Sequence, residues 1–139
     1  VAAFVTGACY CGGVAYRVPD DFAYGGYCHC SRCRRQSGAD HSAFVAIAES
    51  RIQIMRGADL LRRYAKPGSS PGALHFCGNC GSCLWGSFES DGTMIAHMQL
   101  GTFDTPPSTR PGRHFCVASK APWEMLPDDG LPRFDGLPA

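Results

Sequence analysis

The chain has 139 residues, a formal net charge of +1, 45% hydrophobic and 11% aromatic residues, and nine cysteines. A chain near this size buries roughly two-thirds of the surface that its unfolded form exposes, so one domain spanning 1–139 with a single core is expected without help from disulfides. The near-zero charge excludes global recruitment of nucleic acid or anionic membrane, and no apolar run approaches the ~20 residues of a membrane helix.

Val1 to Ala8 has no basic segment leading into an apolar stretch, so a soluble cytoplasmic protein is expected. The chain opens on Val and not Met, which leaves a removed upstream segment open. The 17 glycines and 10 prolines punctuate the sequence every few residues and leave no long 3.6-period apolar pattern, which favours short strands. Gly13 to Val18 reads as a strand with Val14, Tyr16 and Val18 on one face, stopped by Pro19-Asp20-Asp21. Ser31 is placed to cap a short helix running through Gln36 and closed by Gly38. Further strands are expected at Ala43–Ile47, Ile52–Met55, Leu60–Tyr64, Ala73–Cys77, Cys83–Phe88 and Met94–Leu100. Turns separate them at Gly57-Ala58-Asp59, Pro67–Gly72 and Ser90-Asp91-Gly92. Beyond Leu100 the prolines impose an irregular tail, expected to wrap the domain and bury Phe115, Val117 and Trp123.

Seven of the nine cysteines fall in three clusters: Cys9 and Cys11; Cys28, Cys30 and Cys33; Cys77 and Cys80. A reducing cytosol disfavours structural disulfides, and an odd count leaves a thiol unpaired, so metal is the better reading. In extended backbone, residues i and i+2 point the same way, so Cys-x-Cys can place both thiols on one ion; Cys-x-x-Cys does so through a tight turn. Zinc takes four ligands. Cys9, Cys11, Cys77 and Cys80 would form a closed structural site, contributing on the order of 10 kcal/mol to folding. Cys28, Cys30 and Cys33 would hold a second ion with a position left open for chemistry. A zinc ribbon of Cys30, Cys33, Cys77 and Cys80 is the competing assignment.

Arg32, Arg34 and Arg35 raise the local potential around the middle cluster, favouring thiolate and attracting anions; a solvated helix face is the alternative. His29, lying between two candidate ligands, would point away from the metal into a packing or hydrogen-bonding role. His114 is a candidate for lining a pocket, whereas His75 and His97 read as structural. Ser37, Trp85 and Trp123 are further lining candidates, with core packing the alternative for the aromatics.

The segments Cys9-Tyr10-Cys11-Gly12-Gly13-Val14-Ala15-Tyr16, Cys28 to Gly38, and Phe76 to Ser82 resemble the three signature segments of the glutathione-dependent formaldehyde-activating enzyme family, which includes centromere protein V. His114 to Trp123 and Leu131-Pro132-Arg133-Phe134 are similar to that family's closing motif. The resemblance implies a mainly β fold, antiparallel β-sheets around zinc sites (the β-tent or MSS-four-like fold), with one short helix and an irregular Pro-rich tail. It also implies two zinc ions, a structural one on Cys9, Cys11, Cys77 and Cys80 and a catalytic one on Cys28, Cys30 and Cys33. Arg32, Arg34, Arg35 and His114 would contact a glutathione-like thiol. The implied activity is that of a carbon–sulfur lyase, reversibly joining formaldehyde or a related small aldehyde to glutathione. No nucleic-acid or membrane partner is expected, and the oligomeric state is open, a homodimer included. Two departures stand out: Cys83 extends the third cluster, and Cys116 replaces a bulky apolar residue. Both are read as inert buried thiols, although a Cys83 that reached the second metal would close it. The rival functions are a non-catalytic zinc-stabilised binding module and a thiol oxidoreductase using Cys77 and Cys80.

Overall fold

A computed structural model describes residues 3–68 and 71–137. Ten strands and one α-helix follow in order: β1 Phe4–Ala8, β2 Ala15–Pro19, β3 Tyr24–Cys28, α1 Ser31–Ser37, β4 Ser42–Ala48, β5 Gln53–Arg56, β6 Leu61–Tyr64, β7 Leu74–Cys77, β8 Cys83–Ser90, β9 Thr93–Gln99 and β10 His114–Phe115. Single 3₁₀ turns occupy Glu49–Arg51, Leu100–Thr102 and Val117–Ser119. The protein is mainly β with one helix, as the sequence led us to expect. Each strand read from the sequence is present with its ends moved by a residue or two, the ordinary scatter of element boundaries. Residues 69 and 70 of the expected Pro67–Gly72 turn lie outside the described residues.

The strands form two sheets, β1-β2-β5 and β10-β3-β4-β9-β8-β7-β6. Pairing is antiparallel throughout except at one edge, where β10 runs parallel to β3 with His114 opposite Tyr27 and Phe115 opposite Cys28. Val14, Tyr16 and Val18 alternate inward, all wholly buried, and meet Val45, Ile47, Leu84, Ala96 and Met98 of the larger sheet in one core. Each of the valine, isoleucine, leucine and methionine side chains contributes about 1.5–3 kcal/mol by leaving water. Strand β4 shows no alternation because it is covered on both faces. Val45 and Ile47 face the main core, whereas Phe44 joins Cys28 and Phe115 in a second cluster, against which Cys30, Cys33, Cys116 and Phe134 pack.

Strand β3 was not foreseen, since Gly25-Gly26 beside a cysteine cluster reads as loop. The two glycines are what let the tail lie on this strand. A Cβ at Gly26 would sit 2.5 Å from the Phe115 ring, and one at Gly25 would sit 2.9 Å from the Arg110 carbonyl. Flush contact lets the Tyr27 amide donate to Arg113 O at 2.9 Å and the His29 amide donate to Phe115 O at 3.0 Å. The tail thus wraps the domain as expected, burying Phe115 and half-burying Val117. Trp123 is a correction: it is 70% exposed, its indole N–H donating to Asp40 at 2.7 Å.

Candidate metal centres

Cys9 follows β1, Cys11 sits in the turn to β2, Cys77 ends β7, and Cys80 lies in the turn to β8. Their four sulfurs lie within 4.8 Å of one another. Cys9 and Cys11 Sγ are 3.6 Å apart, and Cys11 and Cys77 Sγ are 3.9 Å apart. The Cys77–Gly81 turn closes through a Gly81 N–H to Cys77 O bond of 2.8 Å, with Gly81 at φ +80°, where a side chain would be strained. Amides converge on the sulfurs: Val14 N donates to Cys9 Sγ at 3.2 Å, Gly13 N to Cys11 Sγ at 3.4 Å, Asn79 N to Cys77 Sγ at 3.4 Å and Cys11 N to Cys80 Sγ at 3.4 Å. Such donors favour thiolate over thiol. The Asn79 side-chain amide, followed by the Gly13 amide, brings Cys11 down to about 6, and the Cys11 amide lowers Cys80. Burial raises Cys9.

The second group is local. Cys28 ends β3, Cys30 is the N-cap of α1, and Cys33 lies in its first turn, their sulfurs within 4.8 Å of one another. The expected cap, Ser31, is the first helical residue instead. The Cys30 sulfur accepts from Cys33 N at 3.3 Å and does the capping. Gly38, in the left-handed conformation, closes the helix, its amide donating to Arg34 O. Hydrogen bonds from Cys28 and Cys33 hold Cys30 well below the usual thiol range, with the Cys33 and Arg32 amides adding to the effect. The same sharing raises Cys28 and Cys33.

The two cysteines outside the three clusters differ. Cys83 belongs to neither group, and burial pushes its thiol up to about 11. Cys116, at φ +59°, packs against the Cys28 cluster with its thiol toward Cys28. The geometry also separates Cys30 and Cys33 from Cys77 and Cys80, against the zinc-ribbon assignment.

The three arginines part company on α1. Arg32 and Arg35 line a cavity of about 300 Å³ between the helix and β6–β8, together with Gln36, Tyr64, Lys66 and Ser87. Arg34 is absent from this lining, and its Nε is buried with no hydrogen-bond partner. His114 is 2% exposed and does not line the cavity either; it stacks on Tyr27 and His29. His29 is wholly buried, with its ring bonded at both ends, to Glu124 and to His114. Burial lowers its pKa. His75 stacks on Trp85 and His97 on Phe44, and burial brings His97 down to about 4. Trp85 packs in the main core, and Ser37 turns back to the Cys33 carbonyl at 2.7 Å. His41, Glu124, Tyr64 and Lys66 were not singled out from the sequence. Glu124 directly follows the closing motif, a position that offered a signal; the others are joined to their neighbours by tertiary folding alone.

The family model described as glutathione-dependent formaldehyde-activating enzyme matches residues 4–119. The chain belongs to this family. A Halomonas elongata protein, named provisionally as a glutathione-dependent formaldehyde-activating enzyme, is 30% identical over 122 residues, which cover 84% of this chain and 77% of that protein. A solved Rhodobacter sphaeroides protein superposes with a TM-score of 0.60 over 93% of this chain and 98% of its own, at 21% identity, and shows the shared fold.

In this member of the formaldehyde-activating family both thiol groups fit zinc. Tetrahedral zinc with bonds near 2.3 Å sets sulfurs about 3.8 Å apart, a value between the 3.6 Å of Cys9–Cys11 and the 3.9 Å of Cys11–Cys77. The amides aimed at those sulfurs compensate negative charge, as four thiolates on one dication require. The three-thiol group supplies one ligand fewer, and a cationic cavity opens on another face of the helix that carries Cys33. No helix among the described residues is long and apolar enough to cross a membrane.

Proposed function

We propose that the protein is a zinc-dependent carbon–sulfur lyase of the formaldehyde-activating type, acting as one zinc-binding unit over residues 1–139. It would join formaldehyde or a related small aldehyde to glutathione or a similar thiol: the S–H bond breaks, sulfur bonds to the carbonyl carbon, and the oxygen takes up a proton. The observation that carries this reading is the three-thiol group Cys28, Cys30 and Cys33 on and beside a short helix whose arginines line a cavity. Cys9, Cys11, Cys77 and Cys80 would hold a structural zinc. Zinc bound by Cys28, Cys30 and Cys33 would supply Lewis acidity that keeps a substrate thiol deprotonated near neutral pH.

The protein's own residues would bind and orient. Arg32, Arg35 and Lys66 offer three cations to the carboxylates of a glutathione-like thiol. Gln36 and Ser87 add hydrogen-bonding groups to the same wall. Nine free thiols suit a reducing compartment such as the cytoplasm.

The test is loading with cobalt in place of zinc, followed by glutathione titration and by exchange measurements with labelled formaldehyde. Glutathione is expected to perturb the sulfur-to-cobalt bands, and the protein to accelerate exchange between free and thiol-bound formaldehyde at least tenfold. Bands blind to glutathione, with exchange unchanged, would overturn the lyase reading in favour of a zinc-stabilised binding module.

A further inference from the structure

A third constellation lies outside both thiol groups. His29 comes from between Cys28 and Cys30, His41 from the residue before β4, and Glu124 from the tail. Their donor atoms lie within 4.8 Å of one another. His41 Nδ1 is 2.6 Å from Glu124 Oε1, and His29 Nδ1 is 3.1 Å from Glu124 Oε2, so each carboxylate oxygen faces a different ring. The His29 and Glu124 side chains are 0% and 10% exposed, whereas that of His41 is 33% exposed and gives the cluster one side open to water. Lys120, the nearby cation, is bonded to the Glu124 carbonyl at 3.0 Å and leaves the carboxylate to the two rings.

The hydrogen-bond inventory behind His29 asks for a cation. Glu124, His29, His114 and Asp129 form a line, with His29 Nε2 at 3.1 Å from His114 Nδ1 and His114 Nε2 at 2.8 Å from Asp129 Oδ2. Each of its contacts needs a proton, and two neutral rings carry one fewer than required. The inventory closes if a metal ion takes the place of the proton between His29 Nδ1 and Glu124. His29 then donates from Nε2 to His114, and His114 donates from Nε2 to the Asp129 carboxylate. A ligating imidazole whose second N–H is held by a partner backed by a carboxylate is the usual support of a metal-bound histidine.

We propose that His29, His41 and Glu124 form a third metal site for a divalent first-row ion, zinc in the first instance. Two imidazoles and a carboxylate suit that class, and the solvent-facing side at His41 leaves room for water as a further ligand. The segment Cys28-His29-Cys30 would then serve two centres at once, alternation sending the thiols to one and the imidazole to the other.

The experiment is metal counting on the full chain, equilibrated with excess zinc without prior stripping, by native mass spectrometry under reducing conditions. Cobalt spectra are recorded in parallel to follow the thiolate sites separately. Wild type is expected to hold one ion more than His41→Ala and Glu124→Gln, with the sulfur-to-cobalt bands equal in all three. This difference is read between variants, so it stands or falls independently of whether the three-thiol group activates a substrate. Far-UV circular dichroism checks the fold, and His41→Ala, altering the most exposed of the three side chains, decides the matter if Glu124→Gln does not fold. Wild type saturating at the capacity of the thiol groups alone would overturn the site and leave a protonated imidazole pair in its place. Equal counts in wild type and His41→Ala would overturn it as well.

Discussion

The two thiol groups use the same atoms but close very different loops. Cys11 meets Cys77 and Cys80 across 66 and 69 residues of chain, whereas Cys28, Cys30 and Cys33 come from six consecutive residues. A cross-link over a long loop removes far more freedom from the unfolded chain than one over a short loop. The long-range group also reaches into the main core, with Cys9 and Cys77 buried among Val14, Leu84 and Trp85 and Cys11 exposed at its outer side. Metal in the first group would therefore be inseparable from folding, while metal in the second would be free to gain, lose or exchange a ligand with the sheets intact. Identical ligand chemistry would thus support opposite roles, set by topology.

The largest expected effect tests that contrast directly. Cys77→Ser should remove a structural site worth on the order of 10 kcal/mol and yield unfolded or precipitated protein. Cys30→Ser should lose one metal and all aldehyde–thiol activity, with melting moved by only a few degrees. Native mass spectrometry with thermal denaturation distinguishes them; parallel loss of metal and fold in both variants would break the comparison.

An acid titration sharpens it next. Burial holds His97 near 4 in the folded protein against 6.5 when exposed, and burial lowers His75 in the same sense. The unfolded chain binds the extra protons, so stability is full above pH about 6.5 and falls as pH drops towards 4. His97→Gln, in a site bonded to Tyr24 and stacked on Phe44, should show a shallower fall in melting temperature over that window. An unchanged slope would move the acid sensitivity to the other histidines or to the thiol groups.

The smallest effect belongs to Cys83. Cys83→Ala should leave the metal count unchanged and cost about 1 kcal/mol in a chemical-denaturation curve. A lost metal equivalent would bring this thiol into one of the centres and undo the separation into four and three.

What was legible in the sequence follows from range. Strands with β-branched or aromatic alternation, such as the one carrying Val14, Tyr16 and Val18, declared themselves locally. Strands β1, β3 and β10 did not, because glycine and a two-residue length hide a partner that lies elsewhere in the chain. The grouping of cysteines was readable from spacing. The cap on α1 was misassigned to Ser31 because a sulfur was not weighed as a cap, although its geometry does the same work. His41 and Glu124, 83 residues apart, carry no local pattern that joins them. Arg32 and Arg35 could be set apart from Arg34 only once the helix had a cavity on one side.

The tail pressed onto Gly25 and Gly26 also has a consequence for synthesis. A chain leaving the ribosome presents Cys28, Cys30 and Cys33 together and before anything covers them. Cys77 and Cys80 follow well behind, and Phe115 and Glu124 later still. The three-thiol group is therefore able to capture an ion in the nascent chain before the four-thiol group is complete, and the covering of β3 follows both. Chains interrupted before the tail would carry that group bare, with the β3 edge unpaired and open to other strands.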